Sequence, residues 1–168
     1  LLDDAMLAIS EGTSNHQEEL VDLAEVVTYE VEDRQSAGAP VTLETALDGA
    51  QPLVLGHSRG LRRLVSNVLD NAIKYGGEAR VELSARGRWL LTVVDDAGPG
   101  IPPEQREAVL EPFVRLDPSR NRATGGAGLG LTIAKKVVET HHGRLLLTDA
   151  PEGGARAIIA LPLFAAER

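Results

Sequence analysis

Residues 60–76, GLRRLVSNVLDNAIKYG, read as one helix with two working faces. At about 100° per residue, Leu61, Leu64, Val65, Val68, Leu69 and Ala72 gather into one apolar stripe, the side that seeks a core. Asn67, Asn71 and Lys74 form a second stripe beside it, because residues three and four apart stand above one another. Asn is a middling helix former, so two amides and an ammonium sharing a flank point to a task beyond solvation. Amide oxygens suit a hard cation such as Mg²⁺, and Lys suits the phosphates that accompany it. Taken alone, the pair also reads as two solvated amides on a surface helix.

Outward from this helix the chain alternates strands and helices. Ser58 is a plausible cap for it. On its N-terminal side, Asp22 is placed to cap a helix reaching about Gly38, with Leu23, Val26, Val27 and Val31 at helical spacing. Val41, Leu43, Thr45 and Leu47 then alternate as in a half-buried strand, and residues 52–56 give a short second one. On the C-terminal side, Val81, Leu83 and Ala85 alternate through a strand that Arg86-Gly87-Arg88 turns into residues 89–95, a hairpin whose second strand is almost wholly apolar as a central strand is. Pro103 opens a short helix to about Leu110, broken by Glu111-Pro112-Phe113. Residues 114–127 lack periodicity and read as a loop. A helix follows through Leu131, Ile133, Ala134, Val137 and Val138 to Gly143, and a last hairpin turns at residues 151–154. The fold class is α/β: a two-layer sandwich, a mixed β-sheet with helices packed on one face.

Composition narrows the functions available. The 168 residues are 43% hydrophobic and 25% charged, an ordinary soluble composition, and suffice for one domain with a real core. A net charge of −8 disfavours nucleic acid. The absence of cysteine excludes disulfides and thiolate chemistry. No apolar run is long enough to span a membrane, so the fragment is not expected to insert in one. Residues 1–12, LLDDAMLAISEG, look like the last turns of a preceding helix, so residues 1–20 are assigned to the end of a separate helical domain with its linker and 21–168 to the main domain.

Two glycine-rich stretches bear chemistry. Asp96 stands where the apolar strand runs out into Asp96-Ala97-Gly98-Pro99-Gly100, and strand ends are where α/β folds place ligands. A carboxylate desolvated there needs a donor. The exocyclic amine of adenine is one, whereas guanine offers a carbonyl at that place; a charge-assisted hydrogen bond lost this way costs about 1.5–3 kcal/mol. Gly98 and Gly100 let backbone approach a base closely. The second stretch, GGAGLGL at 125–131, runs straight into a helix, and amides freed of side chains at a helix start favour phosphate. Arg115, Arg120 and Arg122 precede it and carry charge suited to phosphate oxygens.

The order of these pieces is more specific than any one of them. An Asn-x-x-x-Asn-Ala-x-Lys-Tyr helix, then D-x-G-x-G after a strand, then Glu-Pro-Phe, then G-x-G-x-G opening a helix, resembles the ATP-binding catalytic domain of sensor histidine kinases. The broader group, with the Bergerat-type ATP-binding fold, includes gyrase and the mismatch-repair ATPase. The resemblance covers about residues 21–163.

It implies ATP and Mg²⁺ as ligands, with Asn71 on the metal, Asn67 supporting metal or phosphates and Lys74 on phosphate. It also implies Tyr75 against the adenine and Asp96 on the adenine amine, with Gly98, Gly100 and Ile101 beside the base. Gly126, Ala127, Gly128, Leu129, Gly130 and Leu131 would wrap the phosphates with help from Arg115, Arg120 and Arg122. His141 and Gly143 echo the family's His-Gly-Gly, but His142 replaces one glycine. Hydrolysing members carry a Glu where this chain has Asn67, and a neutral amide is no base. The resemblance therefore implies transfer of the γ-phosphoryl group to a histidine on a separate dimerisation domain, with a response regulator downstream. It further implies a monomeric isolated domain, a homodimeric parent and a cytoplasmic location, as a free protein or as part of a membrane-anchored sensor. A nucleotide-binding module without catalysis, or a serine kinase of the anti-sigma type, shares the same motifs.

Overall fold

The computed structural model describes residues 17–110 and 130–165. The chain runs β1 (Glu19–Asp22), α1 (Leu23–Ser36), β2 (Val41–Ala46), β3 (Leu53–Gly56), α2 (Ser58–Gly76), β4 (Ala79–Arg86) and β5 (Trp89–Asp95). After two 3₁₀ turns, Pro103–Gln105 and Ala108–Leu110, come α3 (Gly130–Thr140), β6 (Arg144–Asp149) and β7 (Ala155–Pro162). Five strands form a mixed sheet in the order β2-β4-β5-β7-β6, parallel between β2 and β4 and antiparallel elsewhere.

The helical stripes read from spacing are the ones buried. Leu61, Leu64, Val65, Val68, Leu69 and Ala72 of α2, Leu23, Val26, Val27 and Val31 of α1, and Leu131, Ile133, Ala134, Val137 and Val138 of α3 all enter one core. On the sheet side they meet Leu83, Leu90, Val94, Ile159 and Leu161. Burying each such side chain fully contributes about 1.5–3 kcal/mol, which fixes α2 against the centre of the sheet. The apolar strand β5 is indeed central, with Leu90, Thr92 and Val94 buried and the residues between them half-covered. Asp22 caps α1, its Oδ1 accepting from the Glu25 amide at 3.2 Å. Arg34 then clasps α1 to α2, donating to Glu30, to the Ser66 hydroxyl at 2.8 Å and to Asp70 at 3.1 Å.

Three local expectations are corrected. Ser58 does not cap α2: the helix begins at Ser58, and His57 stands in the capping position with no side-chain bond. Residues 103–110 form two 3₁₀ turns rather than one helix, since Pro102 and Pro103 remove amides from the first turn. Residues 52–56 pair with a strand not anticipated, β1, in a separate two-stranded sheet with Leu20 opposite Leu55. Among the described residues no helix is long and apolar enough to cross a membrane.

Candidate functional site

Asp96 follows directly on β5, and the residue is 6% exposed. Burial at this level demands donors, and the backbone provides them. The amides of Gly98 and Ala155 both donate to Oδ1 at 2.9 Å, while the Asp96 amide donates to the Ala155 carbonyl at 3.0 Å. No described residue donates to Oδ2. One oxygen thus shapes the turn.

Three glycines make room for this carboxylate. A Cβ on Gly76 would fall 2.3 Å from the Asp96 Cβ, one on Gly98 would fall 2.6 Å from the Tyr75 carbonyl, and one on Gly154 would strike the Asp96 carbonyl. None of these contacts yields cheaply, because each involves backbone or a short buried side chain. The end of α2 is therefore pressed against the end of β5, and the turn of the last hairpin against both. Across the β5–β7 pair, Arg156 forks onto Asp95 at 2.7 and 2.8 Å and pins the strand end from the other side. Arg106 holds the following turn, donating to the Ile101 carbonyl at 3.0 Å and to Asp149 at 2.8 Å.

These elements surround a small open concavity lined by Val68, Asn71, Ala72, Val94, Asp96 and Ile101, and by Leu131, Leu147, Ala155 and Ala157. An apolar lining with two convergent polar groups is the usual character of a small-molecule site. Of the residues expected from sequence, Asn71, Asp96, Ile101 and Leu131 converge there. Lys74 is exposed one turn beyond Asn71, and Tyr75, Gly98 and Gly100 do not line the cavity. Gly100 has φ +78 and faces the Gly154 carbonyl at 3.3 Å from its would-be Cβ, a conformation and a contact that favour glycine. Asn67 turns to backbone, its Nδ2 donating to the Gly130 carbonyl at 3.2 Å. Arg115, Arg120, Arg122, Gly126, Ala127, Gly128 and Leu129 lie outside the described residues, as does Glu111-Pro112-Phe113.

The reading of sequence missed the contribution of the last hairpin. Leu147, Ala155 and Ala157 line the concavity, and Ala155, by its amide, and Gly154, by close approach, hold Asp96. The signal available was the Gly153-Gly154 turn, read merely as a connection. His141 is also better placed than its motif suggested. It is buried, with Nδ1 2.8 Å from the Val137 carbonyl, and its ring fills the space a Cβ on Gly56 would take.

A mixed sheet with helices on one face, and an amide and a carboxylate lining one apolar cleft at a central strand's end, make an α/β domain with a candidate small-molecule site. Comparison with known proteins agrees. The profile of the histidine kinase-, DNA gyrase B-, and HSP90-like ATPase family matches residues 56–165. The sensor protein RstB of Escherichia coli K12 is 42% identical over 118 residues, covering 67% of this chain and 27% of that protein. The sensor histidine kinase CpxA of the same organism is 38% identical over 117 residues, covering 69% of this chain and 25% of that protein.

Among solved structures, the mycobacterial sensor histidine kinase MprB superposes with a TM-score of 0.69 at 37% identity, covering 86% of this chain and 97% of that one. The histidine kinase domain of the E. coli osmosensor EnvZ does so with a TM-score of 0.68 at 29% identity, covering 93% and 95%. This chain belongs to the histidine kinase-, DNA gyrase B-, and HSP90-like ATPase family, as a domain of the sensor histidine kinase type. It spans about a quarter of the length of the curated relatives it matches.

Proposed function

We propose that this chain binds ATP in the Asn71–Asp96 cleft and donates the γ-phosphoryl group to a histidine carried by a separate helical dimerisation domain. The observation that carries this reading is the convergence of Asn71, from α2, and Asp96, from the end of β5, on one concavity. Asp96, with Oδ1 committed to the backbone, presents Oδ2 to an adenine amine. Lys74, together with Arg115, Arg120 and Arg122, balances the phosphate charge.

Among the described residues no group of three or more His, Cys, Asp or Glu side chains gathers to hold a metal. The hard amide oxygen of Asn71 instead fits Mg²⁺ held jointly by protein and phosphates. Mg²⁺ supplies charge neutralisation when bound; the chain's own residues position the triphosphate. A loose phosphoryl-transfer transition state asks mainly for that positioning. Asn67 has no proton-accepting base strength, so hydrolysis is not the main reaction. The catalytic domain takes in β1, two residues before the expected boundary at 21, and works within a homodimeric cytoplasmic kinase portion that serves a response regulator.

Titration with a fluorescent ATP analogue tests the reading. Asn71→Ala should abolish Mg²⁺-dependent binding with melting unchanged, and unaltered affinity overturns the assignment. Mixed with a histidine-bearing helical hairpin and labelled ATP, the chain should produce acid-labile phosphohistidine. Bound ATP without phosphohistidine would reduce it to a nucleotide-binding module.

A further inference from the structure

We infer that Asn67 is a positioning residue: its side-chain amide clasps α2 to the first turn of α3 through the Gly130 carbonyl, and thereby sets one wall of the cleft. A carbonyl only accepts, so the atom of Asn67 facing it at 3.2 Å is the nitrogen. Gly130 opens α3 and has no side chain to pack, and among the described residues nothing lies within 4 Å of where its Cβ would be. Packing therefore holds this turn through Leu131, buried in the core, and not through Gly130. Two hydrogen bonds add to it: Asn67 on Gly130, and the Thr132 hydroxyl on the Leu110 carbonyl at 2.8 Å. The next residue, Leu131, lines the same concavity as Asn71. Asn67 thus stands one turn before Asn71 on α2 and reaches across to the opposite wall.

The chemistry separates this role from that of a metal ligand. A ligand works through Oδ1, which a carboxylate reproduces and strengthens. A clasp works through N–H, which a carboxylate lacks, and aspartate would set an anion against the Gly130 carbonyl. In an α-helix that carbonyl also receives the Ala134 amide, so the clasp is readable without nucleotide.

Amide exchange of the whole chain, followed by NMR for wild type, Asn67→Ala and Asn67→Asp, tests the clasp directly. Exchange of the Ala134 amide should quicken in both variants while the Val138 amide, deep in the same helix, keeps its wild-type rate. Unchanged exchange at Ala134 overturns the inference. The consequence for nucleotide rests on the reading of the cleft as an ATP site. ATP and ADP should bind both variants roughly three- to tenfold more weakly, the effect of one hydrogen bond, and by the same factor in Mg²⁺ as in EDTA. Wild-type affinity in Asn67→Asp, with a loss in Asn67→Ala confined to Mg²⁺, would assign Asn67 to the metal instead. Failure of the wild-type chain to bind ATP sinks the reading of the cleft and leaves the clasp to be decided by the exchange rates.

Discussion

The imidazole of His141 accepts a hydrogen bond at Nε2 from the backbone amide of His57, 3.0 Å away, and so ties the end of α3 to the residue before α2. With Nδ1 against the Val137 carbonyl at 2.8 Å, the ring is held as the neutral Nδ1–H tautomer. The two histidine rings stand edge to face, 5.6 Å between centroids. A second proton on His141 would point at the His57 amide.

Burial is the main cause that lowers the His141 pKa below the ordinary imidazole value, with the neighbouring His57 and His142 pushing the same way against the Val137 carbonyl and Glu18. For a base whose folded pKa is depressed, the unfolded chain takes up more protons in acid. Stability should therefore be fully present above about pH 6.5 and fall as the pH drops through the depressed folded value. Urea unfolding between pH 8 and 5 checks this: His141→Gln should flatten the acid-side decline, and an identical slope in that variant would place its source elsewhere.

His142 occupies φ +61 at the end of α3. Its amide reaches the Glu139 carbonyl at 3.0 Å and the Gly143 amide reaches the Val138 carbonyl at 2.8 Å, the paired bonds of a Schellman cap. The replaced glycine of the family motif therefore leaves the turn intact and imposes a left-handed cost on a branched-ring residue. That cost is about 1–2 kcal/mol, partly offset by the greater chain entropy glycine loses on folding. His142→Gly should raise stability by about 0.5–1 kcal/mol, seen as a higher denaturation midpoint at unchanged m-value.

Asp96→Asn should separate fold from base choice. The amide oxygen can still accept from Gly98 and Ala155, so melting should change little, but the second position now donates. Preference for ATP over GTP should shrink by about tenfold or more, from the loss of a charge-assisted hydrogen bond of about 1.5–3 kcal/mol. Competition between the two nucleotides measures this, and an unaltered ratio would remove Asp96 from base recognition.

Thr92, 1% exposed on the helix-covered face of β5, has a hydroxyl with no hydrogen-bond partner among the described residues. An unsatisfied buried polar group costs about 1–3 kcal/mol. Thr92→Val keeps the shape and β-branching and should stabilise the chain by about 1 kcal/mol. Calorimetry decides it, with a lower melting temperature counting against the assignment of that hydroxyl as unpartnered.

The sequence alone settled what depends on near neighbours along the chain. The apolar stripes of three helices, the Asp22 cap, the central apolar strand and the ordered motifs around Asn71 and Asp96 follow from period and local chemistry, whose range is a turn or two. Tertiary structure alone decided which distant backbones meet. The pairing of β1 with β3, the parallel edge at β2, the Gly154 and Ala155 wall around Asp96, and the turn of Asn67 toward Gly130 join residues 31 to 63 positions apart. Such contacts depend on close approach between backbones and on single hydrogen bonds, and neither leaves a periodic trace in the residues that make them.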